Sequence, residues 1–162
     1  MARSPATPRH RLELALVALI AASVVGLYLV EGNRLLSRLE GYRLDETLAA
    51  LQTATATTAL GNRADVGPGD NPVALLDRPP AGYRGEQPGL EPAEVPPGSW
   101  YYDPSRGVLI HRPKDPELLR PVDEPPAEAV PHLQLRLVAP EGRRLQLRPV
   151  GPWRRPDRGQ ES

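Results

Sequence analysis

The sequence predicts an α+β protein: a long N-terminal helix, then a proline-rich loop region, then a small antiparallel β-sheet. Three observations carry this prediction. An uncharged apolar run of 17 residues occupies 14–30. Residues 62–131 contain fifteen of the chain's 21 prolines, which disfavour both helix and central strand. Strand, turn and strand patterns then follow at 98–112 and 133–148, and the 162 residues correspond to about one domain.

The composition excludes several classes of function. Positive and negative side chains number 20 each, and a net charge of zero argues against a protein that grips nucleic acid. The absence of cysteine excludes disulfides and thiolate chemistry, and three histidines make a histidine-based metal site improbable. The sequence contains no glycine-rich phosphate loop, triad spacing or dense Asp/Asn calcium loop. We therefore expect a non-enzymatic protein with no cofactor, no metal and no small-molecule substrate.

The N-terminal apolar run predicts a transmembrane helix over 12–30. Its uncharged part is about 25 Å long as a helix, the short end of a membrane span. Residues 1–11 contain three arginines and no acid, so the positive-inside rule places them in the cytoplasm as a stub. A cleaved signal peptide and a buried core helix are alternatives. The uncleaved anchor is favoured because apolar sequence continues beyond the small residues at 21–23.

The helix is expected to continue outside the membrane over 31–61, with Gly61 and Asn62 as its C-cap. No proline interrupts this stretch, and apolar residues recur at helical spacing on two successive faces. They are Leu35, Leu36, Leu39 and Tyr42, then Leu44, Leu48, Leu51 and Thr55. The partner of this stripe is either the protein's own C-terminal sheet, which we favour, or a second membrane-anchored helix in a coiled coil.

The proline-rich loop region covers 62–97 and contains one expected short helix over 71–77. Asn71 is its predicted N-cap, and Pro72 takes the first helical position, where its missing N–H is harmless.

The predicted sheet covers 98–150 and consists of two hairpins. In the first, the bulky strand that includes Trp100 turns through 103–107, where Pro104 and Gly107 have turn conformations, and returns through 108–112. The second hairpin turns through 140–143. Its leucines share a buried face, and alternate residues face water. Those leucines are Leu133, Leu135, Leu137, Leu145 and Leu147, and the water-facing residues are Gln134, Arg136, Gln146 and Arg148. Residues 151–162 are expected to be a disordered tail.

Three segments resemble pseudopilin-like proteins of type II secretion and MSHA-type pilus systems. They are Asn71-Pro-Val-Ala-Leu-Leu76, Pro79-Pro-Ala-Gly-Tyr83, and the run from Pro97 to His111 that contains Gly-Ser-Trp-Tyr-Tyr-Asp. The resemblance extends from about Leu12 to Arg112, and no motif covers the remainder. It implies a pilin-like fold and a protein that assembles with other secretion or pilus proteins.

The resemblance fails at the processing site. Glu13 stands at the start of the apolar run, where pilins carry a glutamate five residues into the mature chain, although a simple boundary charge is the favoured interpretation. Counting back puts Pro8 where the family's processing glycine belongs and Arg9 at the mature first position. We therefore expect an uncleaved anchor in an accessory role.

The residues on which these expectations depend are interpreted as structural determinants, not reactive groups. They are Glu13, Asn71, Pro72, Tyr83, Trp100, Tyr101, Tyr102 and Asp103. The leading hypothesis is a single-pass protein of the bacterial inner membrane with a periplasmic C-terminal domain, serving type II secretion or pilus assembly. The alternative is a bitopic envelope scaffold whose 31–60 helix forms a coiled coil.

Overall fold

The computed structural model of the chain describes residues 8–60, 66–122, 129–140 and 144–156. The fold is α+β, with one long α-helix, three short 3₁₀ helices and a mostly antiparallel sheet. The chain divides into two compact units, Met1–Leu39 and Glu40–Ser162. The α+β prediction is therefore confirmed at the level of fold class.

Helix α1 extends from Pro8 to Leu60 without a break and contributes to both units. The prediction that the apolar and amphipathic segments belong to one helix is thus confirmed. The expected C-cap at residues 61 and 62 lies outside the described residues. Over the part of the chain that the structure describes, no helix meets the length and hydropathy expected of a membrane span. The transmembrane part of the prediction therefore stays a prediction.

The large apolar side chains of α1 in the first unit are all exposed over residues 12–28. Every one of them is at least 55 % exposed, and they lie around the whole helix circumference. They are Leu12, Leu14, Leu16, Val17, Leu19, Ile20, Val24, Val25, Leu27 and Tyr28.

The second unit is built around a five-stranded sheet in the order β1-β2-β3-β5-β6. Its strands are β1 (Tyr83–Glu86), β2 (Ser99–Asp103), β3 (Val108–Arg112), β5 (Leu133–Val138) and β6 (Gln146–Pro149). Strand β1 is parallel to β2, and the other neighbours are antiparallel. A separate two-stranded ribbon joins β4 (Arg120–Pro121) to β7 (Trp153–Arg154). The strands of both predicted hairpins pair, and Gly107 has the positive φ expected of its turn position. Residues 141–143 of the second predicted turn lie outside the described residues.

Prolines organise the connections by starting 3₁₀ turns. The three 3₁₀ helices, Pro72–Leu75, Pro92–Glu94 and Pro116–Leu118, each begin with proline, whose fixed φ suits a first helical position. The Asn71 side chain caps the first by accepting from the Val73 N–H at 3.1 Å, as predicted. The short helix expected over 71–77 is therefore present as a single 3₁₀ turn.

The structure differs from the sequence-based expectation in two places. The sequence predicted a sheet of four strands, but a fifth strand, β1, forms within the region assigned to loop. The sequence pattern missed it because its partner β2 is distant in the chain. The tail expected to be disordered from residue 151 instead contains β7, and Trp153 is buried in the core. The tail prediction is wrong for residues 151–156, and residues 157–162 lie outside the described part of the chain.

The neighbouring strands β2 and β3 are buried on both faces. On one face, Leu44 and Leu51 of α1 pack with Trp100, Leu109 and Leu135, and Leu48 lies partly buried beside them. On the other face, β2 and β3 are covered by the segment that contains Leu90 and Val95. The stripe from Leu44 to Thr55 therefore packs against the protein's own sheet, as the favoured prediction states.

Polar contacts fix the second half of α1 to two later segments. The Glu40 carboxylate accepts from the backbone N–H groups of Lys114 and Asp115 at 2.7 and 3.1 Å. Arg155 pairs with Asp45 through two nitrogens at 3.0 and 3.3 Å. Gly41 makes room for this pair, since a Cβ there would lie 3.1 Å from Nη2 of Arg155.

Two leucines of α1 provide a matched test of this packing. Leu51 is fully buried, whereas Leu36 is 65 % exposed. We expect Leu51→Ala to lower the free energy of unfolding by about 2–5 kcal/mol, and Leu36→Ala by about 0.5 kcal/mol or less. Urea unfolding of the purified full chain in mild detergent measures both changes in the free energy of unfolding. The two tryptophans that report unfolding, Trp100 and Trp153, belong to the core cluster that contains Leu51. Equal stability of the two variants would contradict the packing.

Candidate functional site

The aromatic residues singled out from the sequence lie in the core of the sheet. Trp100 and Tyr102 of β2 point to the α1 side, and Tyr101 points to the opposite side, all of them at most 5 % exposed. Their rings supply large apolar area in a chain without phenylalanine. The structure therefore places them as packing residues and leaves no aromatic surface on β2 for a ligand.

Trp100 stacks on His111, with ring centroids 4.2 Å apart and planes 21° from parallel. His111 is buried, its Nδ1 lies 3.1 Å from the Ser99 carbonyl oxygen, and its Nε2 has no hydrogen-bond partner. Burial lowers the pKa of His111 to about 4, and the hydrogen bond with the Ser99 carbonyl opposes this shift. The imidazole is consequently neutral at pH 7 and behaves as a core aromatic ring.

A second set of predicted residues meets beside the first 3₁₀ helix. The Asn71 amide donates to the Tyr83 hydroxyl at 2.8 Å and to a Glu86 carboxylate oxygen at 3.3 Å. Pro72 follows Asn71 and is buried. The Tyr102 hydroxyl donates to the Gly69 carbonyl, and burial, followed by the nearby Asp70 carboxylate, raises the pKa of Tyr102. These residues join the segment before the sheet to β1 and β2.

Asp103 organises the first hairpin turn. It is fully buried, and its Oδ1 accepts from the Ser105 N–H at 2.9 Å and from the Gly89 N–H at 3.2 Å. Arg106 Nε lies 3.3 Å from Oδ2. Burial alone would raise the pKa of Asp103, but hydrogen bonds from Ser105, Gly89 and Arg106 outweigh it and leave the pKa lowered. Asp103 is thus a turn residue whose charge is balanced locally.

Tyr101 and Glu13 are the remaining residues singled out from the sequence. The Tyr101 hydroxyl donates to the Leu90 carbonyl at 3.0 Å, and burial raises its pKa to about 12. Glu13 belongs to α1 in the first compact unit, and its side chain is exposed. Within the described ranges, no group of three His, Asp or Glu side chains is placed to hold a metal ion.

The second unit contains a concave groove that the sequence did not predict. It has a volume of about 640 Å³ and contains Arg106 from the first hairpin turn, Arg136 from β5 and Arg148 from β6. Pro68, Val138, Ala139 and Pro140 form its less polar walls. We call it the arginine groove.

The three arginines have different surroundings. Arg106 contacts the carboxylates of Glu91 and Asp103, and the hydrogen bond that it donates to Glu91 is the main cause of its raised pKa. Arg136 Nη2 donates to the Arg106 carbonyl at 2.8 Å, and its Nε is buried without a partner. Arg148 donates through Nε and Nη2 to the Gln146 side-chain oxygen at 3.2 and 2.9 Å.

A sequence signal for part of this groove existed. The alternation of the second hairpin puts Arg136 and Arg148 on the same face, and a turn near 140–143 brings them opposite one another. The contribution of Arg106 depends on how the two hairpins pack side by side, which no local pattern states.

The buried His111 makes stability depend on pH. Its folded pKa of about 4 lies below the ordinary value of 6.5. The folded state holds His111 neutral, so its stability is at its full value above pH 6.5, where the unfolded histidine is also neutral. This stability is lost as the pH falls from 6.5 towards 4, because only the unfolded histidine then takes up a proton. We expect the free energy of unfolding to be about 2 kcal/mol lower at pH 5 than at pH 7 from this group alone. His111→Phe keeps an aromatic ring on Trp100 and should remove that part of the decrease in parallel urea titrations, whereas identical pH profiles would refute the assignment.

Comparison of the chain with protein-family models, with curated protein sequences and with solved structures found no significant match.

Proposed function

We propose that the protein is a non-enzymatic, single-pass protein of the bacterial inner membrane. It is pseudopilin-like and serves a type II secretion or MSHA-type pilus assembly system. Its N-terminus lies in the cytoplasm and its C-terminal domain in the periplasm, where other assembly proteins are its partners. The observation that carries the membrane anchor is the exposure of every large apolar side chain over residues 12–28 of α1.

The physical argument is the cost of that exposure. Burying one aliphatic side chain is worth about 1.5–3 kcal/mol, and ten large apolar side chains are exposed over 17 consecutive residues. Soluble proteins rarely expose contiguous apolar surface on this scale. Exposure around the whole circumference fits a lipid environment better than one protein partner, which would cover a single stripe.

The pseudopilin-like assignment is supported by how the resembling segments are used. Asn71 donates to the Tyr83 hydroxyl, and the nearby Gly69 carbonyl accepts from Tyr102. The Gly-Ser-Trp-Tyr-Tyr-Asp segment supplies β2, the first strand of the first hairpin. These residues build the domain, as structural determinants should. The part of α1 that belongs to the second unit packs directly on this sheet.

A coiled-coil scaffold over 31–60 is the second candidate function. Burial of Leu44 and Leu51 removes half of the stripe that such a coiled coil would use. Leu35, Leu36, Leu39 and Tyr42 remain exposed, but they cover only about two turns. A stable coiled coil needs three to four heptads, so the first candidate is favoured.

A matched pair of arginine substitutions tests the anchor. Ala21→Arg places a charge near the middle of the apolar segment, at a cost of about 2.5–3.5 kcal/mol for insertion. Ala50→Arg places the same charge at an exposed position of α1 in the second unit. We expect wild-type protein and Ala50→Arg to remain in carbonate-washed membranes and Ala21→Arg to be released. Retention of all three would contradict the anchor.

The assembly role has its own test. In cells that lack the protein, we expect loss of secreted proteins or of surface pili, restored by the wild-type chain and not by Ala21→Arg. Unchanged secretion and piliation, with a correctly anchored protein, would instead favour the scaffold.

A further inference from the structure

The arginine groove contains two like charges held directly opposite each other. Arg136 of β5 and Arg148 of β6 are cross-strand partners in the register of the hairpin. Residues opposite one another in an antiparallel pair project from the same face, with Cβ atoms about 4.5–5.5 Å apart, and like charges in this position are destabilising. Of the side chains that the structure describes, no carboxylate forms an ion pair with either of them.

Arg106 differs from this pair because its charge is balanced. It contacts Glu91 and Asp103, and its backbone carbonyl holds Nη2 of Arg136 at 2.8 Å. Gln146 holds one edge of Arg148 through two hydrogen bonds. Both guanidinium groups are thereby oriented, yet each retains N–H donors that these contacts do not use, since a guanidinium carries five. The pair is an oriented set of donors with no ion-pair partner among the side chains that the structure describes.

We infer that the arginine groove binds an acidic peptide segment of a partner protein, one of whose carboxylates bridges Arg136 and Arg148. A carboxylate offers two coplanar oxygens, which match the fork of a guanidinium. Phosphate sites in proteins commonly add a nest of backbone N–H groups. Here the Gly69 N–H is already bonded to the Leu137 carbonyl at 2.8 Å, and Pro68 and Pro140 have no N–H.

The shape of the groove favours a peptide over a small anion. It is open to solvent, and its walls include Pro68, Val138 and Pro140, which can contact the apolar parts of an extended chain. It also lies against β6, the terminal strand of the five-stranded sheet. The groove belongs wholly to the second unit, so this inference does not rest on the membrane anchor.

A binding experiment with matched charge variants tests the inference. The probe is rhodamine-labelled hexaglutamate, titrated with purified full chain in non-ionic detergent at low ionic strength and followed by fluorescence anisotropy. Arg148→Gln and Arg136→Gln should each weaken binding about tenfold or more, the effect of one lost charge-assisted hydrogen bond. Arg78→Gln removes the same charge from an exposed loop arginine outside the groove and outside any cross-strand pair of arginines, and should bind as the wild type does.

Thermal unfolding supplies a readout that needs no ligand. At low ionic strength Arg148→Gln should raise the melting temperature relative to Arg78→Gln, because only Arg148→Gln removes a cross-strand repulsion between two arginines. The difference should disappear at 1 M salt, where the screening length is about 3 Å. If Arg136→Gln fails to fold, Arg148→Gln alone decides both readouts.

Three outcomes would overturn the inference. One is no binding of hexaglutamate by the wild type. Another is equal weakening by all three variants, which would indicate general charge attraction. The third is displacement of the probe by inorganic phosphate at far lower concentration than by glutarate of equal ionic strength, which would make the ligand a phosphate group.

Discussion

Burial of one short leucine stripe of α1 against the sheet is the interaction on which the rest of the second unit depends. Leu44 and Leu51 enter a cluster with the aromatic residues of β2 and the leucines of β5. Because the chain lacks phenylalanine and disulfides, this single layer of contacts supplies most of the large apolar burial on that face. The hairpins have little to pack against without the helix, and isolated hairpins are only marginally stable in water.

Polar contacts then decide how the chain returns to the helix. Arg155 reaches Asp45 with a two-point ion pair and also donates to the Leu118 carbonyl at 3.1 Å. Gly41 is the helical position that allows this approach, so a residue that weakens a helix intrinsically has a packing reason here. The same contacts give the C-terminal segment a place beside α1, and Trp153 is buried with it.

Two buried side chains of the first hairpin are held by local hydrogen bonds. Asp103 is held by N–H groups of its own turn and of Gly89, and the hydroxyl of Tyr101 donates to a backbone carbonyl. The arginine groove differs from the hairpin turn, since Arg136 and Arg148 face each other without an ion-paired carboxylate among the described side chains. Arg106 is paired with two carboxylates, whereas Arg136 and Arg148 form an oriented pair. Positive charge is therefore concentrated at this groove, although the net charge of the chain is zero.

The sequence by itself determined the elements whose cause is local. A long apolar run and a proline-free stretch with apolar residues at helical spacing predicted α1, Asn71 and Pro72 predicted a capped turn, and alternating leucines predicted β5 and β6. Only the tertiary structure decided that β1 pairs in parallel with β2, that residues 153–154 form strand β7, and that three arginines line one groove. Each of these features depends on segments that are distant in the chain. Residues 83–86 have no strand period, Trp153 lies in a polar tail, and Arg106 reaches the groove only when two hairpins share a sheet. Local patterns carry no information about which distant surface completes a core, and that is why these features required the folded chain.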